Sequence, residues 1–432
     1  MGQKYRAAYL SGPAMFEIRE ARAPDKLLPG YFLGDVVCCA ICGSDRGFWT
    51  AGIKKNVLGH EMTVTVTDPG DTHLNAGDRV CMFPGIPCWE CESCRQGRDN
   101  ICTTIYYKGY TGLSADGGYA EKYMGPGAYA VKVPDHVSSQ AAALTEPLAT
   151  AVHAVRQSSV RLGDKVLVIG AGPIGLYCAD LAKRAGASLV VISEYSASRL
   201  AEAKKRSALV TYGRETAIKN KNFLGTDPIC DLRNSFPQIA PREAPQRLDP
   251  TPVLLKNKVF QQINENLGCG LPRQPTLDGY YEASDPELIA QLKAAGGDKG
   301  NGGGFDTVFE CAASAAGYAT AAAVTKYAGE VIMVGLSAKP TDIVTQMYAL
   351  REIRVVPSMG YTWKEFQKAL ALIAGGAVRP ERYVTKTVGL NELQAAFEHL
   401  FHDPANADLK ILVEPNQSSQ ASAHGEKNDE KI

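Results

Sequence analysis

Four cysteines crowd into a short loop near the end of the first hundred residues. Their spacing is Cys88-x2-Cys91-x2-Cys94-x7-Cys102, and most of the intervening residues are polar and turn-forming. Four thiolates on one loop can close a tetrahedron around zinc at about 2.3 Å each. An iron–sulfur cluster also takes four thiolates, but no electron-transfer motif accompanies this loop. Because a closed four-thiolate site has no open position, the pattern predicts a structural zinc rather than a catalytic one.

A second set of candidate ligands lies upstream, where Cys42 precedes a Gly-His-Glu triplet that contains His60 and Glu61. A catalytic zinc needs three protein ligands and an open position, and a thiolate, an imidazole and a carboxylate can supply them. The third ligand is either Glu61 or Glu146, which lies in an alanine-rich segment. A cysteine and a histidine at this spacing are also common as core residues. Asp45 is placed to orient a ligand imidazole as a hydrogen-bonded carboxylate.

Two further polar residues accompany these candidates. Ser44 lies between Cys42 and Asp45, and its hydroxyl can carry a proton from a substrate hydroxyl to solvent. His153 follows Glu146 by two helical turns and is interpreted as a packed histidine rather than a ligand. The combination predicts a metal site with a proton path through Ser44.

A glycine-rich turn follows an apolar run rich in β-branched residues and precedes a helix-like segment. Such a turn admits a tight bend, lets the backbone approach a pyrophosphate and packs the helix closely on the strand. The pyrophosphate then binds at the helix N-terminus, where unpaired N–H groups favour negative charge. The turn residues assigned to cofactor binding are Gly170, Gly172, Pro173, Ile174 and Gly175.

An acidic residue completes this dinucleotide-binding pattern. Glu194 ends the next strand-like run, where a carboxylate that binds the adenosine ribose is expected. It favours NAD over NADP because a carboxylate repels a 2′-phosphate, although Arg199 five residues later weakens that preference. Gly335, which closes a later strand-like run, is also assigned to the cofactor.

The elements that must position these residues follow from the spacing of apolar runs and turns. Up to about residue 134, short strand-like runs alternate with turns, which predicts a β-rich, barrel-like region. From about residue 163, strands and helices alternate as in a doubly wound α/β fold with a parallel sheet. A Pro-, Asn- and Gln-rich stretch at about 214–300 interrupts this alternation. We expect it to be an insertion that forms a lid or an oligomer contact, and the alternative is a passive surface excursion.

Composition narrows the class of protein. The chain has 432 residues, of which 45% are hydrophobic and 21% charged, as in globular proteins. Its 46 basic and 46 acidic side chains balance. The sequence therefore lacks the excess of positive charge that would predict a nucleic-acid or membrane partner. The sequence contains no bilayer-spanning apolar run and no signal-peptide core, so a cytoplasmic location is expected.

Seven motifs appear in an order typical of one family. They are Cys42-Gly-Ser-Asp45, Gly59-His-Glu61, Gly77-Asp-Arg-Val80, the four-cysteine loop, Gly117-Gly-Tyr-Ala-Glu121, Glu146-Pro147 and the glycine-rich turn. Together they resemble the zinc-dependent medium-chain dehydrogenases, closest to the sorbitol and threonine dehydrogenase branch. The resemblance covers about residues 4–208 and 305–414. An ordered set is far more specific than any single motif.

The resemblance implies a domain organisation. A GroES-like catalytic domain is built from residues 1–152, which include the cysteine loop, and from residues 342–414. A Rossmann dinucleotide-binding domain with the insertion lies between them, at residues 153–341. The tail at 415–432 is polar and expected to be disordered. The resemblance also implies a homodimer or homotetramer.

The resemblance also implies roles for single residues. Cys42, His60 and a glutamate hold a catalytic zinc, so that each chain carries two zinc ions with the structural one. In sorbitol-type members Glu61 is favoured as the direct ligand, and Glu146 then holds the zinc-bound water or substrate. Ser44 carries the proton relay.

Two positions depart from the family pattern. Gly47 stands where many relatives have a histidine that passes the proton to solvent, so the route here must use water or another group. Val64 stands where relatives usually have glycine, which changes packing near the zinc ligands.

The implied reaction is hydride transfer between a secondary alcohol and NAD. We expect a polyol, sugar or cyclitol-like alcohol and its ketone, with Phe48, Trp49 and Tyr110 lining the pocket. The alternative substrate is a small secondary alcohol, a diol or a threonine-like hydroxy acid. A different class also remains, a catalytically silent zinc-stabilised dinucleotide-binding protein, for which Gly47 is the hint.

Overall fold

The chain folds as two compact units, which are discontinuous in sequence. The first unit comprises Met1–His153, Met359–Ala374 and Pro380–Ile432, and the second comprises Ala154–Ser358 and Gly375–Arg379. The residues that the computed structural model describes are 2–52, 56–208, 277–297, 303–337 and 340–417.

Fifteen strands and eleven α-helices lie in the described residues, numbered here in chain order. The strands are β1 (Lys4–Gly12), β2 (Met15–Arg22), β3 (Tyr31–Ala40), β4 (Glu61–Asp68), β5 (Arg79–Met82), β6 (Lys122–Pro126), β7 (Ala130–Lys132), β8 (Lys165–Ile169), β9 (Leu189–Glu194), β10 (Gly279–Glu282), β11 (Phe305–Glu310), β12 (Thr325–Met333), β13 (Arg354–Pro357), β14 (Val384–Gly389) and β15 (Lys410–Glu414). The helices are α1 (Asp45–Ala51), α2 (Glu92–Arg95), α3 (Ser139–Ala143), α4 (Thr145–Gln157), α5 (Pro173–Arg184), α6 (Ala197–Ala208), α7 (Leu288–Ala295), α8 (Ala315–Val324), α9 (Thr345–Ala349), α10 (Trp363–Ala374) and α11 (Leu393–His402). Within these residues, no helix combines the length and the apolar character that crossing a bilayer requires.

The first unit is β-rich, as the sequence predicts. Its main sheet has the order β14-β15-β3-β4-β5-β7, and β6 also pairs with β3. The last strand, β15, pairs antiparallel with β3, so an early and a late segment of the chain share one sheet. Alternate side chains such as Val36, Val64 and Val66 are buried in one core cluster with residues of β1 and α11. This pairing brings strand β15 close to the predicted zinc ligands.

The second unit is the predicted doubly wound α/β fold. Its six strands are all parallel, in the order β10-β9-β8-β11-β12-β13. Strand β8 lies between β9 and β11, so the strand order reverses at its carboxyl end. In open α/β sheets this reversal leaves a crevice where ligands bind. Val166, Leu167 and Val168 of β8 are fully buried, as expected for a central parallel strand.

The second unit uses residues that the sequence analysis assigned elsewhere. Strand β10 and helix α7 belong to this unit and fall within the stretch assigned to the insertion. Strand β10 is a four-residue edge strand in which three residues are half-buried and Glu282 is exposed, so its sequence carries little apolar signal. Residues 342–358 also lie here and supply β13, which pairs with β12. Residues 214–276 and 298–300 of the predicted insertion, and the tail from residue 418, lie outside the described residues.

Candidate active site

Cys42, His60 and Glu61 are brought together by the pairing of β3 with β4. In the antiparallel register, the last residue of β3 lies opposite the first residue of β4. Gly59 precedes β4 with a φ of +97°, and a Cβ there would lie 2.8 Å from Cys39 Sγ. Only glycine fits this turn, which sets the direction of the backbone just before His60.

The ligand atoms of Cys42, His60 and Glu61 all lie within 4.8 Å of one another. One sulfur, one nitrogen and one carboxylate oxygen at these separations suit a tetrahedral zinc with one open position. Glu146 does not belong to this group, so the geometry favours Glu61 as the third ligand. The residues present therefore fit the zinc that the sequence predicts here.

Asp45 contacts the imidazole of His60. Its Oδ1 lies 3.5 Å from His60 Nδ1, and its Oδ2 accepts hydrogen bonds from Tyr119 OH at 2.6 Å and Cys42 N at 3.2 Å. This arrangement leaves Nε2 of His60 for a metal. Burial lowers the pKa of His60, but Asp45 and then Cys42 outweigh it, so the pKa lies well above its usual value. Metal binding must therefore displace a proton.

A buried lysine neutralises Glu61. Lys410 Nζ donates to both carboxylate oxygens of Glu61, at 2.8 and 2.7 Å, and to the carbonyl of Ile41 at 3.0 Å. Burial lowers the pKa of Lys410, but Glu61 and Cys42 raise it by a larger amount. The pKa therefore lies above its usual value and the amine stays charged. A carboxylate has lone pairs enough to accept these bonds and still ligate a metal. Lys410 was not among the residues predicted from the sequence, although a lysine that opens the apolar strand β15 is a signal of a buried charge.

Glu146 lies in the first turn of α4 and is buried in the same unit. Its Oε1 accepts a hydrogen bond from the hydroxyl of Tyr361, which the sequence analysis also missed. Burial raises the pKa of Glu146 to about 7, although His60 opposes that shift. Glu146 therefore interacts electrostatically with the ligand cluster without belonging to it.

Tyrosines line the neighbouring space. The rings of Tyr110 and His60 meet edge to face with centroids 6.3 Å apart, and Tyr106 lies 5.2 Å from Tyr110. Together with Tyr361 and Asn100, they line a cavity of about 20 Å³, enough for one water. These hydroxyls give the site polar groups besides the predicted ligands.

The structure does not place Trp49 in a pocket. Trp49 is fully buried and packs against Phe397, Phe401 and His402. Phe48 packs against the same core. Trp49 lies on the side of α1 that packs against α11, and Phe48 contacts the same core. Of the three residues predicted to line the pocket, only Tyr110 contacts His60.

The proposed proton path begins at Ser44. Its hydroxyl donates to Cys42 Sγ at 3.2 Å, which places it beside the ligand cluster. A Cβ on Gly47 would meet no atom within 4 Å, so glycine is not required there by packing. The role of Ser44 as relay stays a prediction.

The four-cysteine loop has the geometry of a second metal site. The sulfur atoms of Cys88, Cys91, Cys94 and Cys102 lie within 4.8 Å of one another. Backbone amides donate to two of them: Cys91 N to Cys88 Sγ and Cys88 N to Cys102 Sγ, both at 3.3 Å. Burial opposes ionisation of Cys102, but bonds from Thr104 and Cys88 lower its pKa to about 6. All ten cysteines in the described residues are free thiols, so this set fits a closed zinc site.

The glycine-rich turn joins β8 to α5 as predicted. Gly170 has a φ of +104°, and a Cβ on Gly175 would lie 2.0 Å from the carbonyl oxygen of Gly170. A Cβ on Gly172 would meet no atom within 4 Å, so the chain leaves open space at that residue. Gly172 caps α5 and Pro173 is its first residue, which suits Pro because its missing N–H needs no partner there. Ile174 follows in the first turn.

Glu194 ends β9 beside this turn. Its carboxylate accepts from Ala171 N at 2.7 Å and Ser196 N at 2.9 Å, and Arg199 Nη1 lies 3.9 Å away. The acid thus lies at the carboxyl edge of the sheet, where the ribose is expected. Gly335 follows β12 at the same edge, where a Cβ would lie 2.6 Å from Ala313 N.

Comparisons with known proteins agree with both units. Residues 29–135 match the alcohol dehydrogenase GroES-like domain, and residues 278–375 match the zinc-binding dehydrogenase domain. The chain is 35% identical to the probable D-xylulose reductase A of Aspergillus fumigatus over 249 residues, 53% of this chain and 69% of that protein. It is 26% identical to the sorbitol dehydrogenase of Bombyx mori over 416 residues, 94% and 97% of the two chains.

Solved structures share the fold. A crystal structure of an Escherichia coli oxidoreductase of unknown specificity superposes with a TM-score of 0.73, at 21% identity and over 96% of this chain and 100% of that one. Two domain models, relatives in sequence and this superposition all agree with the resemblance that the motifs carry. The chain belongs to the zinc-dependent medium-chain dehydrogenase family, in its sorbitol dehydrogenase-like branch.

Proposed function

We propose that this protein is a zinc- and NAD-dependent dehydrogenase that interconverts a polyol or sugar-like secondary alcohol and its ketone. The observation that carries the proposal is the grouping of Cys42, His60 and Glu61 within 4.8 Å. Relatives named sorbitol dehydrogenase and D-xylulose reductase support a polyol substrate. The intact ligand group argues against a catalytically silent binding protein.

The residues of the site have distinct parts in this reaction. A zinc held by Cys42, His60 and Glu61 would supply Lewis-acid polarisation of the substrate oxygen, and the nicotinamide would accept the hydride. Lys410 and Asp45 hold two of the ligands in place through their hydrogen bonds. The chain's own proton carrier is the hydroxyl of Ser44, beside the ligand cluster.

The substrate class rests on the names of the relatives and on phenol groups beside His60. The ring of Tyr110 packs against His60, and Tyr106 lies beside Tyr110. A substrate with several hydroxyls can hydrogen-bond such phenol groups, whereas a simple apolar alcohol cannot use them. This favours a polyol over a small secondary alcohol.

The cofactor preference rests on Glu194. Its carboxylate lies at the glycine turn, where a 2′-phosphate would be repelled. Arg199 is 3.9 Å away and already faces that carboxylate, so less of its charge is left for a phosphate. We infer a preference for NAD.

A homodimer is supported by the edge of the parallel sheet. Strand β13 is an edge strand, and Val344, Leu350 and Val355 nearby are 61%, 72% and 42% exposed. An unprotected edge with exposed apolar side chains favours pairing with another chain. Light scattering after gel filtration would measure the mass.

One screen tests the proposed function. Purified protein with measured zinc content is given polyols, sugars, 2,3-diols and hydroxy acids with NAD or NADP, and reduction is followed at the nicotinamide absorbance. Turnover of a polyol with NAD is expected. Turnover of only diols or hydroxy acids would overturn the proposed substrate class. No turnover of any of these substrates by zinc-loaded protein would overturn the proposal that the protein is a dehydrogenase.

A further inference from the structure

The cysteine loop also contacts a segment that is distant in the sequence. Asp99 and Asn100, which lie shortly before Cys102, make these contacts. Asp99 and Asn100 form a short 3-10 turn that ends at Cys102, and both are nearly fully buried. Asp99 Oδ2 accepts a hydrogen bond from Trp363 N at 2.7 Å. Asn100 Nδ2 donates to the carbonyl of Met359 at 2.8 Å. The loop therefore holds both ends of residues 359–363, called here the strap.

The strap carries Tyr361 at its centre. The hydroxyl of Tyr361 donates to Glu146 Oε1, and both side chains are buried. The ring of Tyr361 packs against Phe83 and Phe366, with centroids 5.7 and 6.0 Å away. Tyr361 is therefore fixed in position by its neighbours, and the carboxylate of Glu146 is fixed by Tyr361.

A second contact ties the strap to α4, the helix that carries Glu146. His153 Nδ1 lies 2.9 Å from Glu365 Oε2, which also accepts from Thr362 N at 2.8 Å. Asn100 Nδ2 is 3.5 Å from the other nitrogen of the His153 ring. Two helical turns separate Glu146 from His153, so one face of α4 contacts Tyr361 in the strap directly and Thr362 through Glu365.

We propose that the cysteine loop positions the active site: through Asp99 and Asn100 it holds the strap, from which Tyr361 orients Glu146. Asn100 and Tyr361 are positioning residues in this account, since they act through Glu146. The inference rests on the proposed function for its effect on turnover, but not for its effect on the strap.

A double-mutant cycle with a matched control tests this. Asn100→Ala removes a buried amide that donates to a backbone carbonyl. Asn406→Ala removes an equally buried amide that donates to Leu400 O at 3.1 Å, far along the chain from the strap. We expect Asn100→Ala and Tyr361→Phe each to lower kcat roughly tenfold, with KM little changed. The double variant of these two is expected to be no slower than the single variants, because they disable one linkage.

Hydrogen exchange supplies a readout that needs no turnover. In Asn100→Ala, amide exchange of residues 359–363 is expected to rise at least tenfold, whereas Asn406→Ala leaves it unchanged. Zinc content should stay equal in all variants. Unchanged exchange in Asn100→Ala, or additive losses in kcat, would overturn the inference. If the wild-type protein turns over no alcohol while exchange still responds to Asn100→Ala, the proposed function fails and the positioning of the strap stands.

Discussion

The two groups of metal ligands are assembled in opposite ways. The cysteine loop takes all four donors from residues 88–102, so one local turn brings them together. The group around Cys42 takes its donors from where two paired strands meet, after the end of β3 and at the start of β4, and its charge is balanced by Lys410 from the last strand of the unit. A site whose ligands lie in one loop can be predicted from their spacing in the sequence, whereas a site built across a sheet depends on the whole fold. The two should therefore fail differently when a ligand is removed.

The largest expected effect is on turnover. His60→Ala removes the nitrogen ligand and should lower kcat/KM by about a thousandfold or more, since the metal site loses one of three protein ligands. The chain should stay folded and the cysteine loop should keep its metal. Steady-state kinetics and metal analysis measure both. A variant within tenfold of wild-type activity would contradict the assignment.

The matching change in the loop should act on stability. Cys94→Ser replaces a buried thiol of the four-sulfur set, and structural zinc contributes directly to folding free energy. We expect a clear fall in the midpoint of thermal unfolding, which added zinc does not restore. Calorimetry checks it, and an unchanged midpoint would show that the loop holds no stabilising metal.

The next expected effect is on the free energy of unfolding of the metal-free protein, when the lysine that balances Glu61 is removed. Lys410→Met leaves the buried carboxylate of Glu61 unpaired, which should lower the free energy of unfolding by about 3–5 kcal/mol. Lys122→Met is the matched control, because its partner Asp35 is half exposed and stays solvated. Urea unfolding of the metal-free proteins compares them. Equal losses of unfolding free energy in the two variants would contradict the role of Lys410 in balancing the buried charge of Glu61.

The smallest expected effect is a pH dependence. Burial raises the pKa of Glu146 to about 7, above the 4.5 of an unperturbed glutamate. Between these values the folded protein holds a proton that the unfolded chain releases, so stability falls as pH rises through this window. In metal-free protein Glu146→Gln should flatten this fall, whereas bound zinc should reduce it by favouring the carboxylate. Identical pH profiles of wild type and variant would contradict the shift.

The same contrast explains what the sequence could predict. The cysteine spacing and the glycine turn are local, and the structure brings each set together as predicted. Lys410 and Tyr361 were missed because each reaches the site through pairings hundreds of residues apart in the chain, which no spacing encodes. Trp49 was assigned to a pocket because an aromatic residue near Cys42 does not reveal which face of α1 it occupies.

Crystals of zinc-loaded protein, measured with X-rays on both sides of the zinc absorption edge, test the central claim most directly. The account predicts two anomalous peaks in each chain. One should lie among Cys42, His60 and Glu61, and the other among the four sulfur atoms of the cysteine loop. A single peak in the loop, with Glu61 bound only by Lys410, would contradict it.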